Sequence, residues 1–86
     1  MNEKIMVVDD DKDIRDVIQV LLSSEGYEVI EASNGKEALE LVDDDTDLII
    51  LDVMMPEMNG YQVCVLLREK TKAPILFLTA KGQDSD

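Results

Sequence analysis

Short apolar runs alternate with amphipathic stretches along the whole sequence, and this alternation dictates a layered fold in which helices cover a buried sheet. Lys4–Val8 is β-branched and apolar and runs into acidic residues, the pattern of a buried strand followed by a loop. From Ile14 onward, Ile14, Val17, Ile18, Leu21 and Leu22 recur at three- and four-residue spacing, one face of a helix that Gly26 ends. Glu28–Ala32 alternates in part, as a sheet-edge strand with one wetter side does. Asn34 is placed to cap a second helix, with Glu37 reaching back to the cap's backbone donor, and Ala38, Leu39, Leu41 and Val42 form its buried side. Asp43, Asp44, Asp45 and Asp47 read as a solvated acidic loop.

Residues 48–51 make a third apolar strand closed by Asp52. After a loop holding Pro56 and Gly60, Val63, Leu66 and Leu67 mark a third helix reaching about Lys70. Residues 74–79 form a fourth strand, too continuously apolar at Ile75, Leu76, Phe77 and Leu78 to face solvent on either side. Strand and helix therefore alternate throughout, with connections short enough that parallel crossovers are the natural solution, and the expected architecture is an open α/β sheet.

The 86 residues suffice for one small core and not for two. Hydrophobic residues at 45% and charged residues at 33% are a globular balance, which argues against disorder. A net charge of −12 repels nucleic acid and anionic membranes, so neither is an expected partner, whereas a cation or a basic protein surface is. Cys64 is the sole cysteine, which precludes an intramolecular disulfide, agrees with a reducing compartment and suits a small core side chain. The N-terminal apolar run ends at Val8, too short for a secretory signal, and no run approaches the roughly 18–20 apolar residues of a membrane span. A cytoplasmic chain is expected.

Three strands end in polar chemistry: the first at Asp9 and Asp10, the third at Asp52, the fourth at Thr79. In an open parallel sheet these carboxyl ends share one edge, where ligand sites form between oppositely directed crossovers. Three carboxylates held together demand protonation, a cation or a basic partner. A hard divalent ion with oxygen ligands meets that demand, and Mg²⁺ suits a site with few protein carboxylates. A carboxylate oxygen can then attack a phosphorus centre, while the Thr79 hydroxyl can donate to a phosphoryl oxygen. Taken singly, each feature has a plainer meaning: acidic loops are usually solvated, and a strand-terminal Asp often only caps a helix.

The segments KIMVVDDDKDIR, DLIILDVMMPEMNG and APILFLTAK resemble the successive motifs of response-regulator receiver domains, and the similarity spans essentially every residue. The resemblance implies a flavodoxin-like open parallel sheet, here truncated to about four strands in the order 2-1-3-4 with three helices. It implies Asp52 as phosphoacceptor, Asp10 as direct Mg²⁺ ligand, Asp9 as its water-bridging neighbour and the Met54 carbonyl as a further ligand. Thr79 matches the switch hydroxyl and Ala80 the small residue beside it, while Met54 and Lys81 fall at variable positions that tune the phosphorylated state's lifetime. Met55, Pro56 and Gly60 match the loop after the acceptor, with Pro56 fixing one dihedral and Gly60 permitting a turn barred to larger residues. Met54, Met55 and Met58 are expected to pack rather than to bind a soft metal.

By the same resemblance the phosphoryl donor is a sensor histidine kinase, and the module is a switch rather than a turnover enzyme. The pattern continues in the family with further helices, a fifth strand and its lysine, so residues 1–86 are expected to be the N-terminal part of one receiver domain, separated from any effector domain. The loop MMPEMNG is similar to that of transcription-regulating members. Two alternatives stand beside this reading. One is a fragment that forms a homodimer or swaps elements without efficient phosphotransfer. The other is an Asp-nucleophile, Mg²⁺-dependent phosphohydrolase, which would need a second Asp close behind the nucleophile where Val53 and Met54 stand.

Overall fold

The computed structural model describes residues 2–78. In chain order the elements are β1 (Lys4–Val8), α1 (Lys12–Ser24), β2 (Glu28–Ala32), α2 (Gly35–Leu41), β3 (Thr46–Asp52), α3 (Gly60–Leu67) and β4 (Ile75–Leu78). The strands form one sheet in the order β2-β1-β3-β4, parallel at every pairing, which is the flavodoxin-like arrangement of four strands and three helices. The chain passes from β1 to β2 on one side and then crosses to β3 on the other. The reversal point therefore lies between the carboxyl ends of β1 and β3, where such folds build their sites.

The two central strands, β1 and β3, are rich in apolar residues because both of their faces are covered. Met6, Val8, Ile49 and Leu51 point to one face and pack with Ala38 of α2 and with Val63 and Leu67 of α3, all buried. Ile5 and Val7, on the opposite face, are buried where α1 lies against β1 and β2. α1 turns only part of its apolar stripe inward: Ile14, Ile18 and Leu22 are half-buried, while Val17 and Leu21 are exposed.

Local signals explain most boundaries. Asp11 caps α1 by accepting from the Asp13 N–H, so the helix begins at Lys12, ahead of the first apolar residue Ile14. Gly26 ends it in the left-handed region at φ 92°, with the Gly26 and Tyr27 N–H groups returning to Ser23 and Leu22. Asn34 caps α2 by accepting from the Glu37 N–H, but the Glu37 carboxylate reaches one residue beyond the expected donor, to the N–H and hydroxyl of Ser33. α3 carries a full capping box between Asn59 and Gln62 and stops at Leu67, short of the Lys70 expected from sequence.

Two expectations need correction. β3 starts earlier than residue 48: Thr46 is buried, and the Asp47 carboxylate accepts from the Lys4 N–H at 2.8 Å, so the acidic run is partly built into the sheet edge. Lys4 also bridges to Asp43 at 2.8 Å, which further ties that run to β1. β4 is not buried on both faces, since Leu76 is 58% and Phe77 36% exposed. Its apolar sequence marks surfaces made to be covered, and the described residues leave them open. No described helix is long and apolar enough to cross a membrane.

Candidate functional site

β1 delivers Asp9 immediately beyond its last residue, and β3 ends on Asp52 itself. Val8 pairs with Ala32 on one side and Leu51 on the other, so the register carries the two aspartates to adjacent positions at the sheet's carboxyl edge. Both are buried, whereas Asp10 is exposed at the mouth. Asp9, Asp10 and Asp52 each offer a carboxylate oxygen, and these atoms lie within 4.8 Å of one another.

Backbone contacts hold these side chains in place. The Asp9 N–H donates to the Ala32 carbonyl at 3.1 Å, and Asp9 Oδ1 accepts from the Asp11 N–H at 2.9 Å. Asp52 Oδ1 accepts from the Met54 N–H at 3.0 Å. Arg15, on the first turns of α1, donates through Nη1 to the Asp9 carbonyl at 2.6 Å and through Nε to Glu31 of β2 at 3.2 Å. Arg15 was not expected from sequence as part of the site. Its signal was there, in a cation one turn into the helix that opens from an acidic loop.

Asp9 Oδ2 is fully buried and has no hydrogen-bond partner among the described residues. Such an orphaned acceptor is rare, because desolvating it costs about 1–3 kcal/mol or more. Burial, reinforced by the neighbouring charges of Asp52 and Asp10, pushes the Asp9 carboxyl up to about 6 against the opposing Asp11 N–H. The pocket is thus short of positive charge on the side facing its own carboxylates. The oxygen-only donor set, the vacant lone pairs of Asp9 and the exposed flank at Asp10 all fit a hard divalent cation that keeps water ligands.

The loop after β3 closes over the strand end. Gly60 donates its N–H to the Val53 carbonyl at 3.0 Å, and a Cβ there would meet the Asp52 carbonyl oxygen at 2.5 Å and Val53 Cα at 2.9 Å. Gly60 is therefore required by close approach and not by the turn conformation expected from sequence; the left-handed residue of this loop is Glu57, at φ 71°. Met55 is buried and Met58 packs against the core, while Met54 is 67% exposed beside Asp52. Thr79, Ala80 and Lys81 lie outside the described residues.

A flavodoxin-like sheet with a cation-seeking trio of aspartates at its reversal point defines a class of acidic α/β modules. Comparison with known proteins places the chain within that class. The response regulator receiver domain family matches residues 5–86, and the chain belongs to that family. It is 48% identical over 86 residues to the transcriptional regulatory protein YrkP of Bacillus subtilis, covering 100% of this chain and 37% of that protein. It is 45% identical over 83 residues to the transcriptional regulatory protein CpxR of Escherichia coli, covering 96% of this chain and 36% of that protein. The chain thus spans little more than a third of the length of these relatives. Its fold is similar to the response regulator TrrA of Thermotoga maritima, solved as a complex with Mg²⁺ and BeF, at a TM-score of 0.77 and 38% identity over 93% of this chain and 72% of that one.

Proposed function

We propose that this chain is the phosphoryl-accepting receiver module of a two-component response regulator, with Asp52 as acceptor and Mg²⁺ held by Asp9, Asp10, Asp52 and the Met54 carbonyl. The observation that carries the reading is the buried Asp9 carboxylate, whose Oδ2 has no partner among the described residues, held with two further carboxylates whose oxygens lie within 4.8 Å of one another, a crowding that a cation relieves. Bound Mg²⁺ would supply charge compensation for the phosphoryl oxygens and the carboxylates together. The Met54 N–H already engages Asp52 Oδ1, so this residue orients the acceptor carboxylate. An Asp52 oxygen then bonds to phosphorus as the bond from phosphorus to the donor's nitrogen breaks, and that nitrogen leaves with the electron pair. Thr79 is assigned the hydroxyl that donates to the transferred group. The donor is a sensor histidine kinase, and the similarity to the transcriptional regulatory protein CpxR supports a transcriptional regulator as the parent protein. The acceptor is consumed in each event and reset by hydrolysis, so the module is a switch.

Incubation with a small phosphodonor and Mg²⁺, followed by intact mass measurement, tests this directly. One added phosphoryl group is expected on the protein and none on Asp52→Asn. An addition that survives the substitution removes Asp52 from the role.

A second property follows from the exposed β4. With Leu76 and Phe77 open to solvent, and β4 hydrogen-bonded on one side only among the described strands, the 86-residue chain is assigned a self-associating surface.

A further inference from the structure

Arg15 touches the acidic pocket without belonging to it. The ladder of β1 ends at Val8, so the carbonyl of buried Asp9 has left the sheet, and Arg15 Nη1 provides its hydrogen-bond donor at 2.6 Å. The guanidinium is itself held from β2, where its Nε meets Glu31 at 3.2 Å, and its side chain is only 13% exposed. One planar fork therefore ties α1, β2 and the end of β1 together through two different nitrogens, a geometry that a lysine ammonium on its single stem does not reproduce.

The Asp9 carbonyl lies in the same rigid peptide plane as the Asp10 nitrogen. Fixing that carbonyl fixes the plane, and with it the direction in which the chain leaves toward Asp10. Asp9 is then anchored at its N–H by the Ala32 carbonyl, at Oδ1 by the Asp11 N–H and at its carbonyl by Arg15, while Oδ2 is buried with no partner among the described residues. Asp10 is exposed and has no comparable anchor on its side chain among the described residues. Its place relative to Asp9 and Asp52 depends on this peptide plane.

We infer that Arg15 is a positioning residue for the cation pocket, acting through the Asp9 carbonyl to set the placement of Asp10, with Glu31 holding the guanidinium in register. The inference rests on the reading of Asp9, Asp10 and Asp52 as a Mg²⁺ site. It differs from a role as mere counter-charge, which would make any cation at position 15 equivalent and would even oppose Mg²⁺ binding.

Titration of the protein with Mg²⁺, followed by the amide NMR signals of the folded species, separates these cases. Wild-type shifts centred on Asp9, Asp10 and residues 52–54 are expected. Arg15→Lys keeps the charge and loses the fork; its Mg²⁺ affinity should fall about tenfold, the usual scale for groups that orient ligands. Glu31→Ala leaves Arg15 in place but untethered and should weaken binding in the same direction by a smaller factor. Since only folded signals are followed, a purely structural role would lower the folded fraction and leave the affinity unchanged. An Arg15→Lys affinity within twofold of wild type overturns the inference, and if that variant does not fold, an unchanged affinity in Glu31→Ala does so. Wild-type shifts at Asp43–Asp47 in place of the strand ends would instead overturn the site itself, and the inference with it.

Discussion

Asp9 concentrates the electrostatic cost of the site in one side chain. Its carboxyl is raised from 3.8 to about 6, first by burial and then by Asp52 and Asp10, so the folded chain holds this proton more tightly than the unfolded chain. Folding is consequently favoured below the unfolded value, and that contribution is lost as the pH rises from about 4 through about 6. Asp9→Asn removes the titration while keeping an oxygen for the Asp11 N–H, and its new amide N–H₂ faces the carboxylates. In chelator-treated protein the variant should be more stable than wild type by roughly 2 kcal/mol near neutral pH, with the gain vanishing below about pH 4. Urea denaturation at the two pH values checks this, and parallel pH profiles for the two proteins would remove charge burial as the cause. Mg²⁺ should narrow that gap without closing it. At tenfold excess over Kd it stabilises wild type by about 1.4 kcal/mol and should leave Asp9→Asn nearly unchanged.

The connection between β3 and α3 is where an element boundary becomes part of the site. A methyl group at Gly60 would strike the Asp52 carbonyl oxygen and Val53 Cα, and backbone atoms cannot swing aside as side-chain ends do. Gly60→Ala should therefore push α3 away from the strand end, costing about 1–3 kcal/mol in urea denaturation and weakening Mg²⁺ binding, because Asp52 and Met54 ride on the displaced segment. Unchanged stability would mean that the loop relaxes more freely than its contacts suggest. The close approach was hidden from the sequence, which shows a glycine but not which of its freedoms is used. Periodicity revealed all seven described elements, since the 3.6-residue stripe of α1 and the apolar runs of the strands are local signals. The convergence of Asp9, Asp10 and Asp52 was also legible, because parallel strands send their carboxyl ends to one edge. Thr46, Asp47 and Arg15 were misjudged or missed because their partners, Asp43, Lys4 and the Asp9 carbonyl, are set by tertiary contact.

For the molecule as a whole, the decisive balance is between an uncovered apolar border and a large negative charge. Leu76 and Leu78 alternate onto the face that α1 covers over β1 and β2, while Phe77 points to the α3 side and meets Tyr61 at a ring-centroid distance of 5.2 Å. Leu76, Phe77, Tyr61 and Val65 are all exposed, and Val17 and Leu21 add apolar surface on α1. Pairing β4 with a strand of a second copy would satisfy its open backbone edge and bury these side chains together, a stabilising gain of about 25 cal/mol per Å² of apolar surface removed from water. Against it stands the charge of −12 on each copy, whose repulsion extends about 10 Å at 0.1 M salt and shrinks to about 3 Å at 1 M. Self-association should therefore strengthen with protein concentration and with added salt, the reverse of an association held by ion pairs. Light scattering across a dilution series is expected to show a mass above the 9.6 kDa monomer at high concentration, rising further in 1 M NaCl. Leu76→Lys places a charge on the border without touching Asp9, Asp10 or Asp52 and should return the protein to monomer at the same concentration. A mass that stays at the monomer value throughout, in high salt as in low, would show that the open border of β4 does not recruit a second copy.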